Sequence, residues 1–192
     1  SERQRKHYGK ILDEEADKLN DLMNKLLSFT QLENDAIQLK KVEVSLEDFV
    51  KGYIDTFSIR YPDFKLSYKI FGVGKFYTDP VMLGSIFQNL MENAYKYSNP
   101  GHRELFIHIA AEKRNIVFSF VDKGIGIAKE EIGNIFKKFY RIENKYNQNG
   151  SVGLGLAFCK ELANFMNGEI TVNSKIHEGS EFIVTLPYET AS

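Results

Sequence analysis

The stretch Asn89-Leu-Met-Glu-Asn93-Ala-Tyr-Lys96 lies in a segment whose two ends are both marked by helix signals. Asp79-Pro80 supplies an N-cap residue and a first-turn proline, and Pro100-Gly101 stops the helix after about Tyr97. The sequence therefore predicts an amphipathic helix that buries one face in a core. The apolar residues of that face are Leu83, Ile86, Phe87, Leu90 and Ala94.

A second face of this predicted helix is polar. Asn89, Asn93 and Lys96 stand at positions i, i+4 and i+7 and share a narrow arc. Asparagine is a poor helix former, so its repetition suggests a use. An amide oxygen can ligate Mg²⁺ when phosphates supply the negative charge, and a lysine one turn on can neutralise a phosphate. The alternative is a solvated face on which the asparagines are incidental.

Segments of alternating apolar and polar residues surround this helix and predict strands. Further helices are predicted, and one begins at Ser45, a capping residue with Asp48 three positions on. Hairpins dominate, so the sequence predicts an α+β fold, a two-layer sandwich with helices on one face of a mixed, mostly antiparallel sheet. The predicted strands are 41–45, 65–71, 104–111, 115–122, 168–174 and 181–186, and the further helices are 45–57, about 129–138 and about 153–166.

The chain begins with a different pattern, which predicts one long helix over about residues 8–36. A helix with a single apolar stripe is not stable alone in water, so it packs on a helix from another segment or a second copy, or folds back on its own domain. We expect a helical unit, residues 1–38, followed by a domain, residues 39–192. The heptad seam of the helix is formed by Leu12, Ala16, Leu19, Met23 and Leu26.

Composition argues against several classes of protein. The 192 residues include 25 basic and 26 acidic side chains, a balance that argues against nucleic-acid binding. The single cysteine, Cys159, provides neither a disulfide framework nor a cysteine-based metal site within the chain. No run of about 20 apolar residues occurs, so we expect no membrane contact by this sequence.

Four more segments carry residues suited to a nucleotide site. Asp122-Lys-Gly124-Ile-Gly126-Ile127 lets the backbone approach a flat ligand beside a carboxylate that can accept from an amine, although many turns have this sequence. Phe136-Lys-Lys-Phe139-Tyr140-Arg141 precedes a polar stretch with the composition of a mobile lid. Gly153-Leu154-Gly155-Leu156 opens a helix whose N–H groups can meet phosphate oxygens or simply pack closely. Gly179-Ser180 precedes the last strand and is also typical of a hairpin turn.

In this order and at these intervals, the segments resemble the ATP-binding domain of sensor histidine kinases. That family belongs to the GHKL superfamily, of Bergerat fold, with gyrase, MutL and the large heat-shock chaperones. The first helix resembles the second helix of the family's dimerisation hairpin. The segments are similar to the family's N box (89–98), first glycine box (122–127), F box (136–141), second glycine box (153–156, with Ser151 in place of its usual first glycine) and a reduced third glycine box (179–180).

The resemblance implies a role for each residue. Asn93 would hold Mg²⁺ through its side-chain oxygen, and Asp122 would receive the adenine amino group, with Ser180 helping directly or through water. Asn89, Lys96 and Arg141 are implied in catalysis and in binding the phosphates. The remaining residues implied in ATP binding are Tyr97, Gly124, Gly126, Ile127, Tyr140, Gly153, Leu154, Gly155 and Leu156.

The residue at position 89 favours phosphoryl transfer over hydrolysis. Related ATPases and anti-sigma serine kinases usually place a glutamate base four residues before the metal asparagine, where this chain has Asn89. Glu92 is turned about 100° from Asn93 on the helix. A neutral imidazole is already nucleophilic and needs no strong base, which suits a histidine acceptor. A GHKL ATPase, an anti-sigma serine kinase and a non-catalytic dimerisation module are the alternatives.

None of the four histidines has the sequence context of the family's phosphoacceptor, namely an acid next to the histidine and a proline shortly after it. We therefore expect His7, His102, His108 and His177 to be structural or exposed, and the acceptor to lie on a helix upstream of this sequence. The resemblance further implies a homodimer through the N-terminal helix and a response-regulator receiver domain as partner. It places the chain in the cytoplasmic portion of a membrane-anchored bacterial sensor.

Overall fold

The computed structural model of the protein describes residues 38–99, 101–142 and 152–188, together with individual residues between Arg5 and Leu32. The chain divides into two compact units, Ser1–Gln38 and Leu39–Ser192.

The described residues of the smaller unit between Arg5 and Leu32 are all α-helical, as the heptad pattern predicts, and the end of the predicted helix, 33–36, lies outside the described residues. Seam residues face solvent: Leu12, Leu19 and Met23 are 69%, 62% and 53% exposed. Phe29, by contrast, is buried. The described part of this segment therefore carries an exposed row of large apolar side chains.

The larger unit is built on two sheets, whose strands are β1 (Val42–Ser45), β2 (Lys65–Phe71), β3 (Lys75–Thr78), β4 (Glu104–Glu112), β5 (Asn115–Asp122), β6 (Glu169–Lys175) and β7 (Gly179–Pro187). Five strands form one sheet in the order β2-β4-β5-β7-β6. β2 runs parallel to β4, and the other neighbours are antiparallel. β1 and β3 pair antiparallel in a separate two-stranded sheet. The main sheet is mixed and mostly antiparallel, so the predicted fold class is confirmed.

The helices of this unit are α1 (Leu46–Arg60), α2 (Pro80–Lys96) and α3 (Gly155–Phe165). The side chain of Phe87 on α2 packs edge-on against Phe118 and Phe120 of β5, with ring centroids 5.7 Å and 4.9 Å apart. These contacts fix the rotation of α2 about its axis and so set the direction of its polar face. Among the described residues, no helix combines the length and the apolar composition that a bilayer span requires.

Three details of the sequence-based prediction are wrong. The segment predicted as a helix near 129–138 is a series of turns, because three of its four backbone hydrogen bonds reach three residues back, as in Asn134 N to Glu131 O. Ser45 precedes α1 without a side-chain capping bond. Instead, the N–H of Leu46 donates to the carbonyl of Gly74. Strand β3 was not predicted, since four residues are too few to show a clear alternation.

Candidate functional site

Asp122 is the last residue of β5, and its side chain is held by the backbone of two neighbouring segments. Its Oδ1 accepts hydrogen bonds from the N–H of Gly124 at 2.7 Å and of Ser180 at 3.2 Å. Ser180 is its direct partner across β5 and β7. Oδ2 accepts no hydrogen bond from the described residues, and no buried side-chain oxygen among them lacks a partner, so Oδ2 keeps access to solvent. One carboxylate oxygen is therefore saturated and the other is open.

Burial raises the pKa of Asp122 above its ordinary value, and the two backbone hydrogen bonds oppose this shift without cancelling it. The side chain is only 8% exposed. A carboxylate kept at this position costs folding free energy, because its charge is partly removed from water. Such a group is typical of binding and catalytic sites rather than of structural ones.

The turn after Asp122 is packed tightly enough to require its glycines. A side chain at Gly124 would collide with the carbonyl oxygen of Tyr97, which itself accepts from Ile125 N at 3.1 Å. Gly126 has φ +70° and lies against the backbone of Lys175, so neither the conformation nor the space suits another residue. The turn is thereby joined to the C-terminal end of α2 on one side and to the β6–β7 hairpin on the other.

Ser174 on β6 is a residue that the sequence analysis missed. Its Oγ accepts from Ile127 N at 2.8 Å, donates to Gly179 O at 2.8 Å and lies 2.9 Å from Ser180 Oγ. The alternation of β6 could have identified it. Ile170 and Val172 are buried on one face of the strand, and Ser174, two residues further on, places a polar side chain on that same face.

Asn89 and Asn93 lie one turn apart on α2, so their side chains share one side of the helix. Asn89 is buried, and its Nδ2 donates to Ser85 O at 2.7 Å, so its Oδ1 is the group that remains for other contacts. Asn93 is half-buried, and its side chain makes no hydrogen bond with the described residues. The ammonium of Lys96 lies 4.9 Å from the centre of the Tyr97 ring.

Glu92, the acidic residue nearest to Asn93, faces another direction. Its carboxylate accepts from Gln88 Nε2 at 3.1 Å and lies 3.9 Å from the guanidinium of Arg60 on α1. Glu92 is therefore occupied on the α1 side of α2, as its position on the helical wheel predicts.

The segment 136–141 meets the start of α3 through backbone contacts. The N–H of Phe139, at φ +63°, donates to Gly153 O at 3.0 Å. The hydroxyl of Tyr140 donates to Glu131, and this hydrogen bond raises the pKa of Tyr140. The side chain of Arg141 is exposed. The polar stretch predicted as a lid lies mostly outside the described residues.

The first turn of α3 stands over the polar face of α2. A Cβ atom at Gly155 would lie 3.0 Å from Asn89 Oδ1. Leu154 is buried and Leu156 is half-buried, and within the described ranges no side chain caps the N–H groups of this turn. Uncapped N–H groups at a helix start are suitable donors to an anion.

These contacts connect most of the predicted site residues into one region. The turn after β5 contacts Tyr97 at the end of α2, Asn89 on α2 contacts the start of α3, and Gly153 contacts the 139–141 segment. The roles assigned to these residues on nucleotide and metal stay predictions.

Comparison with known proteins identifies the class of domain that this region belongs to. Residues 78–190 match the family of histidine kinase-, DNA gyrase B- and HSP90-like ATPases. Because that match covers more than half of the sequence, the chain belongs to this family.

Within the family, the chain is similar to bacterial sensor kinases. It is 28% identical over 188 residues to the sensor protein RprX of Bacteroides fragilis, covering 94% of this chain and 36% of RprX. It is 30% identical over 189 residues to the sensor histidine kinase YvrG of Bacillus subtilis, covering 96% and 32%. The chain thus spans about a third of the length of these curated relatives.

Solved structures show the same fold. Full-length ShkA, solved in complex with AMPPNP, superimposes with a TM-score of 0.84 at 26% identity, over 97% of this chain and 39% of ShkA. The histidine kinase AdeS of Acinetobacter baumannii superimposes with a TM-score of 0.74 at 23% identity, over 91% and 81%. The resemblance to the histidine-kinase catalytic domain is confirmed.

Proposed function

We propose that this chain is the catalytic region of a two-component sensor histidine kinase, which binds ATP with Mg²⁺ and transfers the γ-phosphoryl group to a histidine for relay to a response-regulator aspartate. The observation that carries this proposal is the buried carboxylate of Asp122, with one oxygen saturated by backbone N–H groups and the other open. A group held this way is suited to accept from an exocyclic amine such as that of adenine.

At the adenine end, Asp122 Oδ2 accepts from the base amino group and Ser180 lies beside it. Gly124, Gly126 and Ile127 form the wall of the slot. Support comes from the tight backbone contacts of Gly124 and Gly126, which leave no room for a side chain at either position beside the carboxylate.

At the phosphate end, Asn93 holds the metal. Its amide fits a hard cation because it is half-buried and makes no hydrogen bond with the described residues. Mg²⁺ held there would neutralise charge on the phosphates, and Asn89, one helical turn earlier, would supply a further amide oxygen. The nucleotide is bordered by Lys96, Arg141, Tyr97 and Tyr140. The N–H groups of the segment from Gly153 to Leu156, which leads into α3 and is not capped by a side chain of the described residues, donate to phosphate oxygens.

Hydrolysis of ATP needs a base that activates water, and neither side chain at the expected positions can act as one. This favours phosphoryl transfer over hydrolysis. Asn89 has no proton-accepting carboxylate, and Glu92 is engaged with Gln88 and Arg60. Positioning and charge neutralisation are the main protein contributions to this reaction. The alternatives are an ATPase or anti-sigma serine kinase, and a non-catalytic dimerisation module. Release of ADP without a histidine acceptor would favour the first, and undetectable ATP binding the second.

We also propose that the acceptor histidine belongs to a helix outside this sequence. His108 lies on the sheet face away from the helices, where its ring contacts Phe71. His102 is in a loop bridge and His177 in the β6–β7 hairpin, and His7 is outside the described residues. The N-terminal helical segment would pair with a second copy, and the parent protein would be a membrane-anchored bacterial sensor with this region in the cytoplasm.

The direct test is calorimetric titration of Asn93→Ala with ATP in the presence and absence of Mg²⁺. We expect the variant to bind ATP at least about tenfold more weakly when Mg²⁺ is present, because the contact between the amide oxygen and the cation is removed. Without Mg²⁺, the two proteins should bind ATP equally. Gln88→Ala is the matched control, because it removes an exposed amide from the same helix. Equal affinities of Asn93→Ala and the unmodified chain would show that the metal is held elsewhere.

A further inference from the structure

Three polar side chains form a row across the end of the sheet. Asp122 pairs with Ser180 across β5 and β7, and Ser180 pairs with Ser174 across β7 and β6. Their strand positions continue the series that faces the helices, which includes Phe120 and Phe182. Three neighbouring strands therefore place oxygen atoms side by side on the sheet face that bears the site.

The contacts of Ser174 determine where its hydroxyl proton lies. A serine hydroxyl has one proton to donate and two lone pairs to accept with. Gly179 O, at 2.8 Å, can only accept, so the proton of Ser174 is donated there. Ile127 N, at 2.8 Å, can only donate, so it uses one lone pair of Ser174 Oγ. The remaining lone pair faces Ser180 Oγ at 2.9 Å, and the shared proton at this contact must come from Ser180.

The orientation of the Ser180 hydroxyl follows. Its proton is committed to Ser174, and its side chain has no other hydrogen bond among the described residues. Toward the site, Ser180 therefore presents lone pairs, as does Asp122 through Oδ2. Both polar groups at this end of the site accept and neither donates.

We propose that Ser174 is a positioning residue that fixes Ser180 as a hydrogen-bond acceptor and thereby selects a purine with a 6-amino group over one with a 6-oxo group. The proposal rests on the proposed function, because it assumes that a nucleotide base lies beside Asp122 and Ser180. A 6-amino group donates to these acceptors. A 6-oxo group places a third acceptor among them, which leaves buried polar groups unpaired.

Removal of the Ser174 hydroxyl releases this constraint. In Ser174→Ala the Ser180 hydroxyl is free to rotate and to donate to a 6-oxo group. Affinity for inosine triphosphate, which differs from ATP in the 6 position of the base and in the protonation of N1, then approaches the affinity for ATP. A purely structural role of Ser174 would weaken the two nucleotides together and leave their ratio unchanged.

The experiment measures dissociation constants of ATP and inosine triphosphate, with Mg²⁺, by calorimetry on the unmodified chain, Ser174→Ala, Ser174→Thr and Ser180→Ala. We expect the preference for ATP to fall about tenfold in Ser174→Ala, which corresponds to one hydrogen bond, and to be retained in Ser174→Thr, which keeps the hydroxyl. Ser119→Ala is the matched control, since Ser119 is buried in the same sheet but bonds Glu181 on the other face.

A double variant shows whether Ser174 acts through Ser180. In the Ser180→Ala background, Ser174→Ala should cause no further loss of preference. Additive losses, or an unchanged ratio in Ser174→Ala, would overturn the proposal. If Ser174→Ala does not unfold cooperatively, an unchanged ratio in Ser180→Ala alone overturns it. Failure of the unmodified chain to bind either nucleotide would instead reject the proposed function.

Discussion

Asp122 combines a position suited to ligand binding with a cost to stability. Its pKa is raised by burial, so the folded chain holds the ionised form less favourably than the unfolded chain does. Two backbone N–H groups offset part of that cost on Oδ1, but Oδ2 is left for a ligand. Removing the charge should therefore affect stability and binding in opposite directions.

We predict that Asp122→Asn unfolds at an equal or higher denaturant concentration than the unmodified chain and binds ATP at least about tenfold more weakly. The amide oxygen can still accept from Gly124 and Ser180, while the NH₂ group replaces the open acceptor with a donor. Chemical denaturation and calorimetry measure the two effects. A large loss of stability with unchanged ATP affinity would contradict the assignment.

The stability difference between these two proteins should depend on pH. Because the folded-state pKa of Asp122 is raised, its unfavourable contribution is fully present above that pKa and disappears as the pH falls below the unfolded-state value. The advantage of Asp122→Asn is therefore expected to shrink on acidification from neutral pH. An advantage that grows on acidification would mean that the pKa of Asp122 is lowered.

Among single residues, the sequence identified the candidate site residues whose amino-acid type is unusual for the element in which they lie. Asn89 and Asn93 on a helix, and Asp122 before two glycines, were identified in this way. Ser174 was not, because serine is common in strands and its importance depends on partners 47, 5 and 6 residues away. The hydrogen-bond partner of the Ser180 hydroxyl is likewise set by contacts between separate strands, so it could be identified only from the structure.

At the scale of elements, the start of α2 is held by one side chain with two functions. Asp79 Oδ1 accepts from Val81 N at 3.0 Å and Met82 N at 3.1 Å, which caps the helix as predicted. Its Oδ2 accepts from Lys40 N at 2.9 Å, which attaches the segment preceding β1 to the same helix end. The helix that bears the asparagines is thus anchored at its first turn.

We predict that Asp79→Ala lowers the free energy of unfolding by about 2 kcal/mol, since a buried cap and a backbone partner are lost together. Ser45→Ala is the matched control: it occupies the corresponding position before α1 but makes no capping bond, so its effect should stay within about 0.5 kcal/mol. Denaturant unfolding of the two variants measures both values. Equal losses would mean that the Asp79 contacts contribute little.

The helices and strands that were predicted well have apolar residues at regular spacing. β2, β4, β5 and α2 show clear period-two or helical spacing and were placed within one or two residues. The segment 129–138 has Ile132, Ile135 and Phe136 at helix-compatible spacing, but its hydrogen bonds form separate turns. β3 is stabilised by its pairing with β1, whose residues lie 30 to 36 positions earlier in the chain, as in Ser45 with Lys75 and Val42 with Thr78. Local sequence carries little information about such a pairing.

At the scale of the whole molecule, the exposed seam of the N-terminal segment is the feature that the compact domain does not explain. Leu12, Leu19 and Met23 share one helical stripe and are more than half exposed. Such a row is typical of a helix that pairs with another. We proposed a second copy of the chain as the partner.

We predict that the unmodified chain shifts from monomer to dimer with rising concentration in sedimentation velocity, and that Leu19→Glu abolishes the shift by placing a charge in the seam. Asn20→Glu is the matched control, because the neighbouring residue is exposed outside the seam. A chain that stays monomeric at all concentrations, or equal dimerisation of the two variants, would reject pairing through this seam.

The connection between the parallel strands β2 and β4 passes through α2. The helix proposed to hold the metal is consequently part of a crossover, which lies in the chain between the edge strand β2 and its neighbour β4. We expect residues 65–71, which carry none of the proposed ligand contacts, to open and close together with this helix. If so, the exchange of their amide hydrogens with solvent slows when the site is occupied, and it reports from a distance on how firmly that site is held together.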